Sequence, residues 1–274
     1  MLLVTGATGH IGRALVDELN RRDATFRALV RGPRPDLPAD QLIGDLDGPL
    51  DLHGIDKLFL LVPGTSLAHT TNAVAAAQAA GVRQIVYVSS YAVLGDPVPA
   101  MGRWHHERER LIQDSGIPAT FLRPTGFMTN TLDWLPTIRA GGYVLDPIGP
   151  GRAAPVDPAD IAAVAAAALI EDGHEKQAYT VTGPEAFTLT EQVAILGAAI
   201  GRTIDVRPIE TPEEAVRFRY PDGASPELAA AIVEGLRLMR ADTVGLRTDV
   251  VRRITGNEPR TFADWCRENA ASFR

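Results

Sequence analysis

The sequence predicts an α/β fold: a doubly wound parallel sheet with a smaller, mainly helical lobe from the second half of the chain. Three observations carry this. Short apolar runs and helical patterns alternate at least five times between Met1 and Pro124, the rhythm of parallel strands joined by helical crossovers. The chain opens on MLLVTGATGHIG, an apolar run followed by three glycines at three-residue spacing and then a helical stretch. Lys57–Val62 (KLFLLV) is apolar almost throughout, as in a strand covered on both faces, and does not alternate like a half-exposed one.

Met1–Thr5 is the first strand and Arg13–Arg22 the first helix. Between them, Gly6 makes a turn that a Cβ would obstruct. Gly9 lets backbone approach a phosphate, and Gly12 lets the helix pack on the strand. A strand, a glycine turn and a helix start form a cradle for a dinucleotide pyrophosphate, whose charge is held by free N–H groups and the helix dipole. Thr25–Arg31 is strand two. Arg31 lies 19 positions beyond Gly12, where a carboxylate would accept from a ribose 2′-OH. An arginine pairs instead with a 2′-phosphate, so NADP(H) is the expected cofactor and NAD(H) the alternative. The other reading of Arg31 is a solvated strand-end cation.

Asp36–Asp40 is a proline-broken loop and Gln41–Gly44 a short third strand. Asp45 then either accepts from an adenine amino group, with Leu46 over the ring, or caps the next turn. Lys57–Val62 is strand four, ended by Pro63-Gly64 beside the glycine turn. Ala68–Ala80 is an alanine-rich helix stopped by Gly81. Gln84–Ser89 is strand five, with Ser89 and Ser90 at its carboxyl end. Ser90 either bonds a substrate or ribose oxygen or caps a turn. Trp104–Ser115 is a helix ended by Gly116. His105 and Glu109 share a face at i and i+4. The adjacent His106 points elsewhere, which argues against a metal site. Ile117–Leu122 is the sixth strand, followed by Arg123-Pro124. Right-handed crossovers put the glycine turn, Arg31, Asp45, Pro63, Ser89 and Pro124 on one crevice.

Residues 1–124 thus form a nucleotide-binding core, and 125–274 supply the remaining sheet segments and the lobe, interleaved with that core. Phe127–Trp134 is apolar, aromatic and irregular, fit to roof the crevice. Trp104, Phe127, Met128 and Trp134 are either a pocket for a planar molecule or ordinary core. Gly141-Gly142 breaks the chain. Asp157-Pro158 opens a helix over Ala159–Ile170. Ala178–Thr182 is a strand, and Thr188–Glu191 a capping box for Glu191–Ile200. Thr203–Ile209 alternates like a strand. Thr211-Pro212 and Ser225-Pro226 open further helices, and Val250–Thr255 and Phe262–Ala270 are helical.

The chain has 274 residues, 45% of them hydrophobic, and a net charge of −7. That balance, with arginines unclustered, argues against nucleic acid or an anionic membrane as a partner. A single cysteine, Cys266, reads as a small buried apolar residue in a reducing cytoplasm. Met1 leads directly into the glycine motif, so no signal peptide is expected.

TGATGHIG, YVSSYAV, SGIPATFLRPTGFMTN, PVDPADIAAVAAAAL and YTVTGPEAFTLTEQVAILGAAIGR together resemble the NmrA-like atypical members of the short-chain dehydrogenase/reductase superfamily. The resemblance spans nearly the whole chain. It implies an extended-type Rossmann fold with the pyrophosphate on Gly6, Gly9 and Gly12 and contacts from Thr8, His10 and Ile11. Arg31 would take the 2′-phosphate, and Asp45 and Leu46 the adenine. Val62 and Pro63 would lie on the adenosine ribose side, Ser89 at the sheet edge, and Pro124–Phe127 beside the nicotinamide.

One departure matters. Most working members carry Tyr-x-x-x-Lys, but here Met101 falls at the tyrosine and His105 at the lysine. Methionine has no exchangeable proton. His105 would hold the ribose or act as the acid, or simply bond Glu109; Tyr91 is a second candidate donor. Two functions of different class follow. One is an NADPH-dependent reductase of quinones, azo compounds or similar acceptors, which needs no tyrosine because solvent can protonate the product. The other is a redox-sensing regulator that binds NAD(P) and acts through a protein partner. A sugar-nucleotide epimerase would follow from fold alone. The reductase is the expected function, with a small-molecule acceptor and a monomeric or homodimeric chain.

Overall fold

A computed structural model describes residues 1–273. The main sheet has seven parallel strands. They are β1 (Leu2–Val4), β2 (Phe26–Val30), β3 (Asp40–Ile43), β4 (Lys57–Leu60), β5 (Gln84–Val88), β6 (Ala119–Pro124) and, after β7 (Tyr143–Asp146), β8 (Ala178–Val181). Their order is β3-β2-β1-β4-β5-β6-β8, with Val4 paired to Ala28 on one side and Phe59 on the other. The order reverses between β1 and β4, so the crevice at that switch point opens beside the glycine turn. β7 was not read from the sequence. It pairs in parallel with β9 (Asp205–Pro208), so the expected strand over 203–209 builds a separate two-stranded sheet and does not extend the main one.

Residues alternate between two cores along each strand. Val4, Ala28, Val30, Phe59, Val86, Leu122 and Val181 face one side. They meet α1 (His10–Arg21), α5 (Pro158–Ile170) and α9 (Val250–Thr255). Leu3, Leu29, Leu58, Leu60, Ile85, Tyr87 and Phe121 face the other, against α2 (Ala68–Ala80) and α3 (Ala100–Asp114). Helix α1 buries Ile11, Leu15, Val16 and Leu19 as one stripe, and its neighbour α5 is alanine-rich and buried nearly all round. Small side chains let those two helices and the sheet approach closely, and a fully buried Leu or Ile contributes about 1.5–3 kcal/mol.

The lobe is built from α4 (Leu135–Gly141), α6 (Leu189–Ile200), α7 (Pro212–Arg219), α8 (Pro226–Ala241) and α10 (Phe262–Glu268) with the small sheet. Its core joins Met128, Ile138, Val144, Leu196, Phe262, Trp265 and Cys266. Burial pushes the Cys266 thiol up to about 12, so it stays protonated and acts as an apolar residue. The helix ends follow the local signals. Asp157 caps α5 with proline at the first position, Thr188 and Glu191 complete their capping box, and Thr211 and Ser225 cap α7 and α8. Gly142 ends α4 with φ 67°. Helix α3 begins a turn earlier than Trp104, at Ala100.

The loop before α10 is tied to the start of α5. Arg260 donates its backbone N–H to Asp160 at 2.9 Å and its Nε to Asp157 at 2.7 Å. Burial raises the Asp160 carboxyl from 3.8 to about 6; the Arg260 N–H opposes this, while Asp157 adds to it. The folded chain therefore holds this proton more tightly than the unfolded one. The contribution to stability is full below about pH 4 and is lost as pH rises through about 6. Asp160→Asn keeps an acceptor without the charge. It is expected to stabilise the fold at about pH 8 by on the order of 2 kcal/mol and to add nothing below about pH 4. Urea melts of both proteins at the two pH values check this.

Candidate functional site

The glycine turn is built as an anion cradle. Gly6 has φ +66°, and a Cβ there would lie 3.1 Å from the Leu61 side chain. On Gly12 a Cβ would lie 2.0 Å from the Gly6 carbonyl oxygen, so this glycine is required by packing. Gly9 is different: the nearest protein atom to its added Cβ is the Gly6 oxygen at 3.5 Å. Nothing in the chain demands glycine there; a ligand approaching the backbone would. Gly9 caps α1 without a side-chain hydrogen bond, and the first turn holds no acidic residue. Among the described residues the N–H groups of His10, Ile11 and Gly12 have no acceptor. A helix start with free donors and no compensating charge fits a diphosphate. Thr8, Gly9 and His10 are exposed, while Ile11 is buried in side chain and has only its backbone to offer. Below the turn, the Thr5 hydroxyl donates to the Leu61 carbonyl at 3.1 Å and accepts its N–H at 2.8 Å, locking β1 to β4 at the switch point.

Arg31 follows β2, is exposed, and pairs with no carboxylate among the described residues. Nearby, Arg13 of α1 pairs with Asp36, which holds that carboxyl below its usual range. Asp45 accepts the Asp47 N–H at 3.0 Å, the turn-capping arrangement weighed for it, and keeps a second oxygen for a ligand. Leu46 packs on the core beside α2. Its carbonyl accepts from Asn72 at 2.9 Å, and Asp47 bonds His69 at 2.6 Å. Val62 is half-buried and Pro63 exposed at the mouth of the crevice.

Helix α3 turns its polar residues inward. Arg108 is 1% exposed and donates to the Gly64 and Ser66 carbonyls at 2.6 and 3.0 Å, fixing the loop after β4. Glu109 accepts from Ser89 at 2.6 Å and from Arg123 at 2.9 and 2.6 Å. The Ser89 hydroxyl thus donates into this bridge between β5, β6 and α3. The sequence offered Glu109 as the partner of His105. The structure gives His105 Tyr87 instead, with the hydroxyl 3.1 Å from Nδ1. Burial brings His105 down to about 4. It is therefore neutral near pH 7 and serves as a hydrogen-bonding group. Arg108, Glu109 with Arg123, and Tyr87 were not picked out from the sequence as site residues. One signal was present: α3 carries few apolar residues for a helix laid on a sheet, so something polar had to be buried.

Ser90 accepts the Ala92 N–H at 3.2 Å and caps the 3-10 helix Tyr91–Leu94. Tyr91 is half-buried, and burial, with Asp242 nearby, raises its hydroxyl. Trp104 and Trp134 are half-buried. Met128 is a correction: at 0% exposure it belongs to the lobe core and cannot line an open pocket. Phe127 bridges to Val156 and packs on the α1–α5 side of the sheet. Pro124 is buried at the end of β6. Met101, at the tyrosine position, is exposed.

A family model described as NAD(P)H-binding matches residues 6–172. The chain belongs to this NAD(P)H-binding family. Among relatives of this family member, a (4-alkanoyl-5-oxo-2,5-dihydrofuran-3-yl)methyl phosphate reductase of Streptomyces griseus is 38% identical over 100% of this chain and 99% of the relative. An NAD(P)H azoreductase of Xenophilus azovorans is 36% identical over 100% and 99%. The solved structure of an NADPH-dependent quinone oxidoreductase of Escherichia coli, complexed with NADPH, superposes with a TM-score of 0.82 at 25% identity, covering 98% of this chain and 99% of that one. The family member is an NAD(P)H-dependent oxidoreductase of Rossmann type, as the NmrA-like resemblance implied.

Proposed function

We propose that the chain reduces a small, planar, electron-poor acceptor, a quinone or an azo compound, with NADPH. The observation that carries the reading is the bare positive end of α1 above Gly9, whose free N–H groups suit a dinucleotide pyrophosphate. Bound there, NADPH supplies a hydride at its nicotinamide end. Thr8, Gly9 and His10 cradle the diphosphate and Arg31 takes the 2′-phosphate. Asp45, Leu46, Val62 and Pro63 line the adenosine side, and His105 holds the nicotinamide ribose. Pro124 and Phe127 shape the nicotinamide end, with Tyr91, Trp104 and Trp134 toward the acceptor. Met101 offers no proton and His105 is neutral, so this site suits acceptors whose reduced form solvent or the Tyr91 hydroxyl can protonate. The names of the relatives agree in kind: an azo compound, a quinone, and a dihydrofuranone bearing a phosphate. They support turnover over the regulatory alternative. One chain supplies every group named, so a monomer or a homodimer serves. We place the protein in the cytoplasm, where Cys266 stays reduced; no helix among the described residues is long and apolar enough to cross a membrane.

The test follows NADPH absorbance with a panel of quinones and azo compounds. Consumption above the blank is expected. Tight NADPH binding with no consumption for any acceptor would overturn the reductase in favour of the sensor. For cofactor choice, Arg31→Asp is expected to weaken NADPH binding about tenfold or more, the loss of a charge-assisted phosphate contact, and NADH binding by less than about twofold. Titration by protein fluorescence measures both, and equal losses would rule out the phosphate contact.

A further inference from the structure

The contact between Tyr87 and His105 lies outside every role assigned above. Tyr87 is 0% exposed, in the middle of the sheet face covered by α3. Its hydroxyl stands 3.1 Å from His105 Nδ1. Burial pushes the phenol up to about 12 against the pull of Arg108 beside it, so the hydroxyl keeps its proton. That proton needs an acceptor. Arg108 has only donors to offer and can only donate to the phenol oxygen, so among the described residues His105 is the acceptor at the Tyr87 hydroxyl. The Tyr87 O–H therefore donates to Nδ1. A neutral imidazole carries one N–H, so its proton must sit on Nε2. Among the described residues Nε2 has no partner, and it is not one of the buried polar atoms sealed without one.

We propose that Tyr87 is a positioning residue: it holds His105 in the single tautomer whose outward nitrogen, Nε2–H, donates to a ribose oxygen of the bound nucleotide. This rests on the assignment of His105 to the ribose in the proposed function.

Nitrogen-15 NMR of the imidazole in the intact protein reads the tautomer directly. The Nε2–H form alone is expected in wild type. Tyr87→Phe keeps the ring and removes only the hydroxyl. It is expected to give a mixture of tautomers and to weaken NADPH binding in proportion to the Nε2–H form lost, about twofold for an even mixture. His105→Ala removes the donor and should weaken binding about three- to tenfold, the range for one lost hydrogen bond, and adding Tyr87→Phe to it should cost nothing more, because the tyrosine acts only through the histidine. An Nδ1–H tautomer in wild type would overturn the proposal, and that measurement stands even if Tyr87→Phe failed to fold. Unchanged tautomer and affinity in a folded Tyr87→Phe would overturn it too. A wild type that bound no NADPH would strike the functional reading and the ribose contact with it, whereas normal binding with an Nδ1–H tautomer would strike this proposal alone.

Discussion

Gly12→Ala is expected to lose nucleotide binding, with affinity for NADPH falling at least about tenfold, or about 1.4 kcal/mol. The added Cβ would lie 2.0 Å from the Gly6 carbonyl oxygen and 2.6 Å from the Ala7 Cα. Both are backbone atoms, so no side chain can swing aside. Helix α1 must shift away from the turn, and the free N–H groups of His10, Ile11 and Gly12 move with it. Overpacking of this kind costs about 1–3 kcal/mol of stability, so the melting temperature should fall as well. Gly9→Ala is the informative contrast. Its Cβ meets nothing nearer than 3.5 Å, so stability should change by less than about 1 kcal/mol, the range for a cap substitution. Binding should still weaken, because the methyl group occupies the approach to the backbone. Thermal melts and NADPH titration of the two variants separate a glycine needed for packing from one needed for the ligand. Wild-type affinity in Gly12→Ala would refute the cradle as drawn.

The second large effect is expected at the ion pair beneath the far end of the crevice. Arg123→Met removes both guanidinium hydrogen bonds to the Glu109 carboxylate and leaves it the Ser89 hydroxyl, and Glu109 is 3% exposed. A buried charge left without its counterion costs about 3–5 kcal/mol, which corresponds to a fall in melting temperature on the order of 10 °C for a domain of this size. The double variant Arg123→Met with Glu109→Leu should recover most of that loss, since an apolar pair of similar volume is often as stable as the buried ions it replaces. Calorimetry of the single and double variants completes the cycle. Equal melting temperatures for wild type and Arg123→Met would show that the pair does not hold β6 to α3.

What the sequence made legible was local. The glycine spacing, the strand runs, the cap-and-proline pairs at Asp157, Thr211 and Ser225 and the capping box at Thr188 each depend on residues within a few positions of one another. The folded chain carries them nearly residue for residue. Hidden features were those set by strand pairing. Ser89 meets Glu109 and Arg123 because β5 and β6 are adjacent with Val88 opposite Leu122, and no pattern within either strand records that register. His105 and Glu109 do share a helix face, but the sheet beneath offers them different partners: Tyr87 for one, Ser89 and Arg123 for the other. β7 was missed for a similar reason. Four residues after a glycine pair carry little periodicity, and their partner β9 lies far along the chain. Met128 and Phe127 show the limit of composition: two neighbouring apolar residues pack into different cores.

The lodging of α5 between α1 and α9, with β8 on the edge of β6, bears on how the protein is made. A ribosome delivers the glycine turn first, yet the apolar stripe of α1 lacks its helical neighbour until Pro158–Ile170 has been translated. The Gln84 amide has Thr120 as one acceptor and waits for the Ala168 carbonyl, also at 3.1 Å, as its second. The nascent chain therefore carries α1 without its helical mate until synthesis has passed Pro158, and a fragment ending at Pro124 would lack α5, α9 and β8 altogether.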